Sequence, residues 1–354
     1  MKHPWRFFLG FVALMLLLAA CGQGGTTGTG SQAAATAAPA GESAAPTAAA
    51  AAAPSGTPLK VGYSTWVGYG PLFVAQDKKF YEQNGVAVEL NKIEDPKLRF
   101  AALAAGQLDG LVSTLDALSL YYKPDLQIQA VLALDTSSGG DGIVAKKDIK
   151  SVADLKGRTV AYNPGSVSDF YLNYVLQEAG LTIDDVKGVS MKQDDAGAAL
   201  VAGKVDAAVT WEPWLSKAKE APDGQVLIDS SKNPGLIVDV LIFRKDVIEK
   251  RKADVQAVIK SWMQANDYYK SNKDDAVAIM AKSVGGWLED PKVFAETLTG
   301  VQYYDEAGNK EYFAGADAPV MKTAQFAIDL WAKQGKVDKA LKATDIVDNS
   351  LVVK

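Results

Sequence analysis

From Leu59 onward, short apolar runs alternate with stretches whose apolar residues recur at helical spacing. "LKVGYS" reads as a strand. Pro71 suits the first position of a helix, and "LFVAQDKKFYEQNG" predicts one helix stopped by Gly85. "VAVELNKI" predicts the next strand, Asp95-Pro96 opens the helix "KLRFAALAAG", and "GLVSTL" is a further strand. Strands that alternate with helices imply an α/β fold with mostly parallel sheets flanked by helices.

The pattern then recurs. "AALAAGQLDGLVS" starts at Ala101 and "AALVAGKVDAAVT" at Ala198, each a small-residue helix, a glycine stop and a strand opening after an aspartate. "GRTVAYNPGSVSDFYLNYVLQEAG" echoes the first strand, loop and helix. The expectation is two lobes of similar build: residues 58–140 with 241–354, and residues 141–240. The chain would cross between them near "DTSSGGDG" (135–142) and "NPGLIVDV" (233–240). Beyond "LIVDVLIFRKD" the pattern turns helical, with Val255, Val258, Ile259, Trp262 and Tyr269 on one face. Those helices are expected to pack on the first lobe.

The N-terminal pattern differs. Lys2 and Arg6 precede an apolar run from Phe7 to Leu18, the form of a secretory signal over residues 1–20. Leu18-Ala19-Ala20-Cys21 resembles a bacterial lipobox, whose cysteine is acylated and becomes the new N-terminus. Residues 22–57 are almost all Gly, Ala, Thr, Ser and Pro with almost no charge, too little apolar surface to fold, so 21–57 reads as a flexible, lipid-anchored linker. A lipid and a tether imply a body held at the outer, extracytoplasmic face of a membrane in the cell envelope.

Composition narrows the chemistry. Apolar residues make up 48% of the 354, enough for a sizeable core. Removal of Lys2 and Arg6 leaves 35 of the 37 basic residues against 42 acidic ones, a net charge of about −7. That balance argues against nucleic acid as a partner and favours a cationic ligand. His3 and Cys21 are the only histidine and cysteine, so the mature body has no imidazole or free thiol for catalysis or metal binding. No cofactor, no metal and no enzymatic turnover are expected, and the body reads as a monomer.

The lipobox and tether, with "GYSTWVGYGPLFVAQDKKFYEQNGVAVEL", "SVADLKGRTVAYNPGS" and "GKVDAAVTWEPW", resemble the solute-binding proteins of the nitrate, sulfonate and taurine family of ABC importers. The resemblance runs from about residue 59 to the end. It implies a type II periplasmic-binding-protein fold, ligand capture between lobes and a membrane permease as partner. "IEDPKLRFAALAAGQLDGLVSTLDAL" with "SGGDGIVAKKDIKSVADLKG" resembles the branch found beside urea-carboxylase-type enzymes, which is linked to guanidine and other small nitrogen compounds.

In open parallel sheets, ligands meet the loops at the carboxyl ends of strands. That rule selects Trp66 and Tyr69 after the first strand, Glu94 after the second, and Asp116 after the third. It selects Ser138 and Asp141 at the first crossover, Ser166 after "RTVAY", and Trp211 with Glu212 after "DAAVT". Asp239 lies near the return crossover, and Glu212 is the leading acid. Asp95 reads as a helix cap, Asp169 as a helix stabiliser, and Asp109 and Asp206 as structural, since they begin strands. This set has carboxylates and aromatics and no basic residue. It suits a planar cation, with guanidine first: carboxylates accept hydrogen bonds in its plane and aromatic faces cover it. The alternative is the same fold holding an alkyl sulfonate such as taurine, nitrate, or a thiamine-pyrimidine precursor.

Overall fold

The structure, a computed structural model, describes residues 56–352. The apolar leader, Cys21 and nearly all of the tether lie outside the described residues. The first alternation gives β1 (Leu59–Tyr63), α1 (Gly70–Asp77), α2 (Phe80–Gln83), β2 (Val88–Lys92), α3 (Pro96–Ala104), β3 (Gly110–Thr114) and α4 (Leu115–Tyr121). Pro71 lies in the first turn of α1, where its missing N–H leaves no gap in the ladder. The one helix expected up to Gly85 is two. Lys79 is left-handed, with φ 58°, and separates α1 from α2. The charged run Asp77-Lys78-Lys79 keeps that break solvated. The turn brings Tyr81 into the core, where its hydroxyl donates to the Leu72 carbonyl at 3.1 Å.

Next come β4 (Ile128–Ser137), β5 (Asp141–Lys146), β6 (Thr159–Tyr162), α5 (Val167–Glu178), β7 (Lys187–Ser190), α6 (Gln193–Val201), β8 (Ala207–Trp211), α7 (Trp214–Glu220), β9 (Gly224–Asp229) and β10 (Val238–Arg244). After a helical stretch, β11 (Val301–Tyr303) closes the set. One sheet runs β11-β4-β10-β3-β1-β2 and the other β7-β6-β8-β5-β9. The βα units pair in parallel, β1 with β2 and β3, and β6 with β7 and β8. Where the chain passes between sheets, the arriving strand runs the other way. β5 is antiparallel to β8 and β9, and β10 to β3 and β4, because no crossover helix reverses the chain there. β10 lies wholly in the first sheet, so residues 238–240 pair there rather than with the second.

The sequence repeat has a structural cause. Asp109 accepts the Lys60 backbone N–H at 2.9 Å, and Asp206 accepts the Thr159 backbone N–H at 3.0 Å. Each aspartate ties the start of one central strand to the start of its neighbour, far from the strand ends that face the cleft. At the first crossover the backbones of Gly140 and Gly300 pack directly together. A Cβ on Gly300 would lie 2.7 Å from the Gly140 nitrogen, so neither position has room for a side chain.

The helices after residue 245 join the core of the first sheet, as their pattern implies: Val255, Val258 and Trp262 are buried in that core, and the Trp262 ring lies 6.2 Å from Tyr303 of β11. The helix Pro319–Lys333 also reaches the second lobe. Its Leu330 and Trp331 bury against Phe170 of α5, and Lys336 just beyond it pairs with buried Asp169 at 2.7 Å. Asp169 stands in the first turn of α5, where it accepts the Gly165 backbone N–H at 2.9 Å, and it also anchors the C-terminal segment. No helix among the described residues is long and apolar enough to cross a membrane.

Candidate functional site

Between the two sheets lies a cavity of about 60 Å³, room for a guest of a few heavy atoms. Segments of both sheets converge on it: the loop after β1, the start of α3, the β3–α4 junction, the first crossover, the end of β8, the N-termini of α5 and α6, and the start of β10. These are strand ends of both sheets, the position the crevice rule predicts. Of the residues selected from sequence, Trp66, Tyr69, Glu94, Asp141, Ser166 and Trp211 reach its wall. Trp66 and Trp211 come from different lobes and meet with ring centres 6.2 Å apart, so they bridge the cleft.

Three expected residues do not line it, each for a local reason. Glu212 accepts the Ser216 backbone N–H at 3.1 Å and the Ser216 hydroxyl at 3.0 Å, so it caps the start of α7. The carboxylate that serves the two tryptophans beside it is Asp194, which accepts Trp211 Nε1 at 3.0 Å and Trp214 Nε1 at 3.1 Å. Ser138 is exposed at the crossover, and its backbone N–H donates to the Gly300 carbonyl at 2.8 Å. Its neighbour Ser137 faces inward and accepts the Asp141 backbone N–H at 3.1 Å, as strand alternation requires. Asp116 sits behind the wall formed by Thr114 and Ala117. Its carboxylate is buried near Thr114 and makes no hydrogen bond of normal geometry.

The wall residues divide by whether their polar atoms are already engaged. Glu94 accepts the Thr65 N–H at 2.9 Å and hydroxyl at 2.7 Å, and pairs with Lys92 at 3.2 Å. Burial raises its pKa, but these partners outweigh burial and hold it below the usual carboxylate range. Ser166 caps α5, donates to the Asn163 carbonyl at 2.8 Å and accepts Gln193 Nε2 at 3.0 Å. Both are occupied by the protein itself. Asp141 and Asp239 are buried and line the cavity, and neither forms an ion pair among the described residues. Tyr69 donates its hydroxyl to Asp239, and Trp66 Nε1 donates to Asp135 at 3.1 Å. Burial pushes Asp141 up to about 6 and Asp116 up to about 7. It also raises the adjacent Asp135 and Asp239, which repel each other.

Sequence reasoning missed Asp135 and Arg99, and it noted Asp239 near the return crossover without carrying it into the site set. Asp135 and Asp239 stand on fully buried strands inside apolar runs, "AVLALD" and "VDVLIF", paired across β4 and β10. A lone acid in such a run was the available signal. Arg99 is only 4% exposed and lines the cavity, while its neighbour Leu98 is 62% exposed. The inverted pair could be read from the helix: Arg99 shares a face with buried Ala102 and Leu103, at i+3 and i+4. Among the described residues no cluster of His, Cys, Asp and Glu has metal-binding form.

A family model described as the NMT1-like family matches residues 52–285. The taurine-binding periplasmic protein of Escherichia coli is 28% identical over 286 residues, covering 75% of this chain and 84% of that protein. Among solved structures, the periplasmic aliphatic sulphonate binding protein from Escherichia coli aligns with a TM-score of 0.68 at 23% identity, covering 83% of this chain and 98% of that one. The periplasmic nitrate-binding protein from Synechocystis PCC 6803 aligns at 0.67 and 15% identity, covering 85% and 88%. These likenesses establish a two-lobed periplasmic-binding-protein fold.

Proposed function

The chain belongs to the NMT1-like family, and from that premise we propose that it is the solute-binding protein of an ABC importer, with a small cationic nitrogen compound as its cargo. The observation that carries the reading is the pair Asp141 and Asp239. Both are buried, both line the cavity, and among the described residues no Lys or Arg is bonded to either. An uncompensated buried carboxylate is costly, and a guest that brings the missing charge removes that cost. Trp66, Tyr69 and Trp211 supply aromatic faces beside them. Micromolar affinity requires about 8 kcal/mol; charge-assisted hydrogen bonds contribute roughly 1.5–3 kcal/mol each and a desolvated cation–π contact about 2. A guanidinium head engaging both carboxylates under one aromatic face reaches that range.

Titration calorimetry with guanidinium and methylammonium against nitrate and ethanesulfonate tests the proposal. The bare cations should bind and the bare anions should not; the reverse order would overturn it. A second reading has Arg99 and the relatives named for taurine, sulphonate and nitrate behind it: the same cleft holding an anion. Asp141→Asn separates the two, because it should weaken a cation and strengthen an anion.

In the proposed cycle no bond is made or broken. Guest capture closes the lobes, and the closed body docks as a monomer on a membrane permease on the extracytoplasmic side. Acylation at Cys21 would keep it near that partner, and the intact mass of membrane-extracted protein would reveal or exclude the lipid.

A further inference from the structure

The cavity contains one cationic group that the cation reading leaves unexplained. Arg99 is buried, lines the same wall as Asp141 and Asp239, and forms no ion pair among the described residues. Its Nη1 donates to the Ile93 carbonyl at 2.6 Å, and its Nε has no hydrogen-bond partner among the described residues. The carboxylate of Asp239 on the cavity wall accepts the Tyr69 hydroxyl, and behind it Asp135 accepts the Trp66 indole. Opposite charges thus share one small space without joining.

Their places in the fold keep them apart. Arg99 packs over β1, where its Cγ lies 3.1 Å from the position a Cβ on Gly62 would take. Asp239 is on β10, and β3 stands between those two strands. Arg99 thus enters the cavity from α3 and Asp239 from the strand β10, and no ion pair joins them among the described residues. Burial of an unpaired arginine and of unpaired carboxylates is costly on both sides. A bare cation would relieve one side and add repulsion at the other. A guest with a charge of each sign relieves both.

We infer that Arg99 determines specificity, and that the guest is bipolar: an ammonium or guanidinium head toward Asp141 and Asp239, and a carboxylate or sulfonate a few bonds away toward Arg99. The fork of donors on Arg99 suits a planar or tetrahedral oxyanion. This rests on the cation reading above and adds the second charge to it.

Binding to the mature chain is measured by calorimetry with three kinds of probe: guanidinium as bare cation, acetate and ethanesulfonate as bare anions, and guanidinoacetate and taurine as bipolar guests. A bipolar guest should bind at least tenfold tighter than guanidinium. Arg99→Gln should abolish that margin while guanidinium binds as well or better, and Arg99→Lys should restore part of it. The inference is overturned if guanidinium matches every bipolar probe, or if Arg99→Gln keeps the margin. A bare anion that outbinds both other kinds would instead overturn the cation reading. Should Arg99→Gln fail to fold, the probe series on the unaltered protein still decides the matter.

Discussion

Lowering the pH from 8 to 5 tests the charge of the guest through the cavity's own titration. Burial raises Asp141 to about 6, against the opposing hydrogen bond from Ser137. Burial likewise raises Asp239, where the Tyr69 hydrogen bond and Arg99 oppose it and Asp141 and Asp116 add to it. A cationic head prefers the ionised carboxylate, so each proton taken up as the pH falls must be displaced on binding. At pH 5, a group titrating near 6 is ionised in about one molecule in eleven, which weakens binding about tenfold, or ~1.4 kcal/mol. If Asp239 must ionise as well, the loss steepens toward two decades per pH unit. Guanidinium keeps its charge throughout this range, so the dependence belongs to the protein. Calorimetry from pH 5 to 8, in buffers of different ionisation heat, should show affinity rising at least tenfold with pH and protons released on binding. Affinity that is flat, or that rises toward acid, would refute the reasoning. An anion would rise toward acid, because a protonated carboxyl neither repels it nor lacks a donor.

The other predictions concern single residues. Asp141→Asn should stabilise the empty protein at pH 8. A carboxyl raised from its ordinary value to about 6 contributes stability below that ordinary value and loses it as pH rises through 6, a penalty of ~3 kcal/mol above that range. Thermal melting should rise by several degrees, and the gain should vanish near pH 4. Glu212→Ala should keep ligand affinity within twofold and lower stability by about 1 kcal/mol, the value of a lost helix cap. A tenfold loss of affinity would return Glu212 to the binding site. Gly68→Ala should reduce affinity and stability together, because its Cβ would overlap the Asp135 carboxylate and the Trp66 indole; overpacking of this kind costs about 1–3 kcal/mol. Lys336→Met should lower stability by about 1–2 kcal/mol in chemical denaturation, because buried Asp169 loses its cationic partner among the described residues and keeps the Gly165 and Asn173 hydrogen bonds.

Much of the architecture could be read along the chain because its signals are local. The alternation of "LKVGY" and "GLVST" with helical stretches, Pro71 and Asp95-Pro96 at helix starts, and the repeated aspartate before a strand each act within a few residues. The same local rules place Trp66, Tyr69, Glu94, Asp141, Ser166 and Trp211 at strand ends, and those ends meet in the cleft. Glu212 and Ser138 stand at equally good strand ends, yet they turn away. Position along a strand does not set the direction of the next residue; a helix cap on Ser216 and the period-two alternation through Ser137 set it.

Which polar groups face one another was not legible, because no local rule governs it. Asp135 and Asp239 are 104 residues apart in the numbering and become neighbours only when β10 returns to the first sheet beside β4. Arg99 becomes a cavity residue because α3 lays its apolar face on β1 and carries the arginine inward with it. Local spacing encodes the elements, since turns, caps and periodicity are decided by near neighbours. The charge balance of the cavity depends on long-range strand pairing and on which buried groups are left without partners, and those emerge only when the two sheets are brought together.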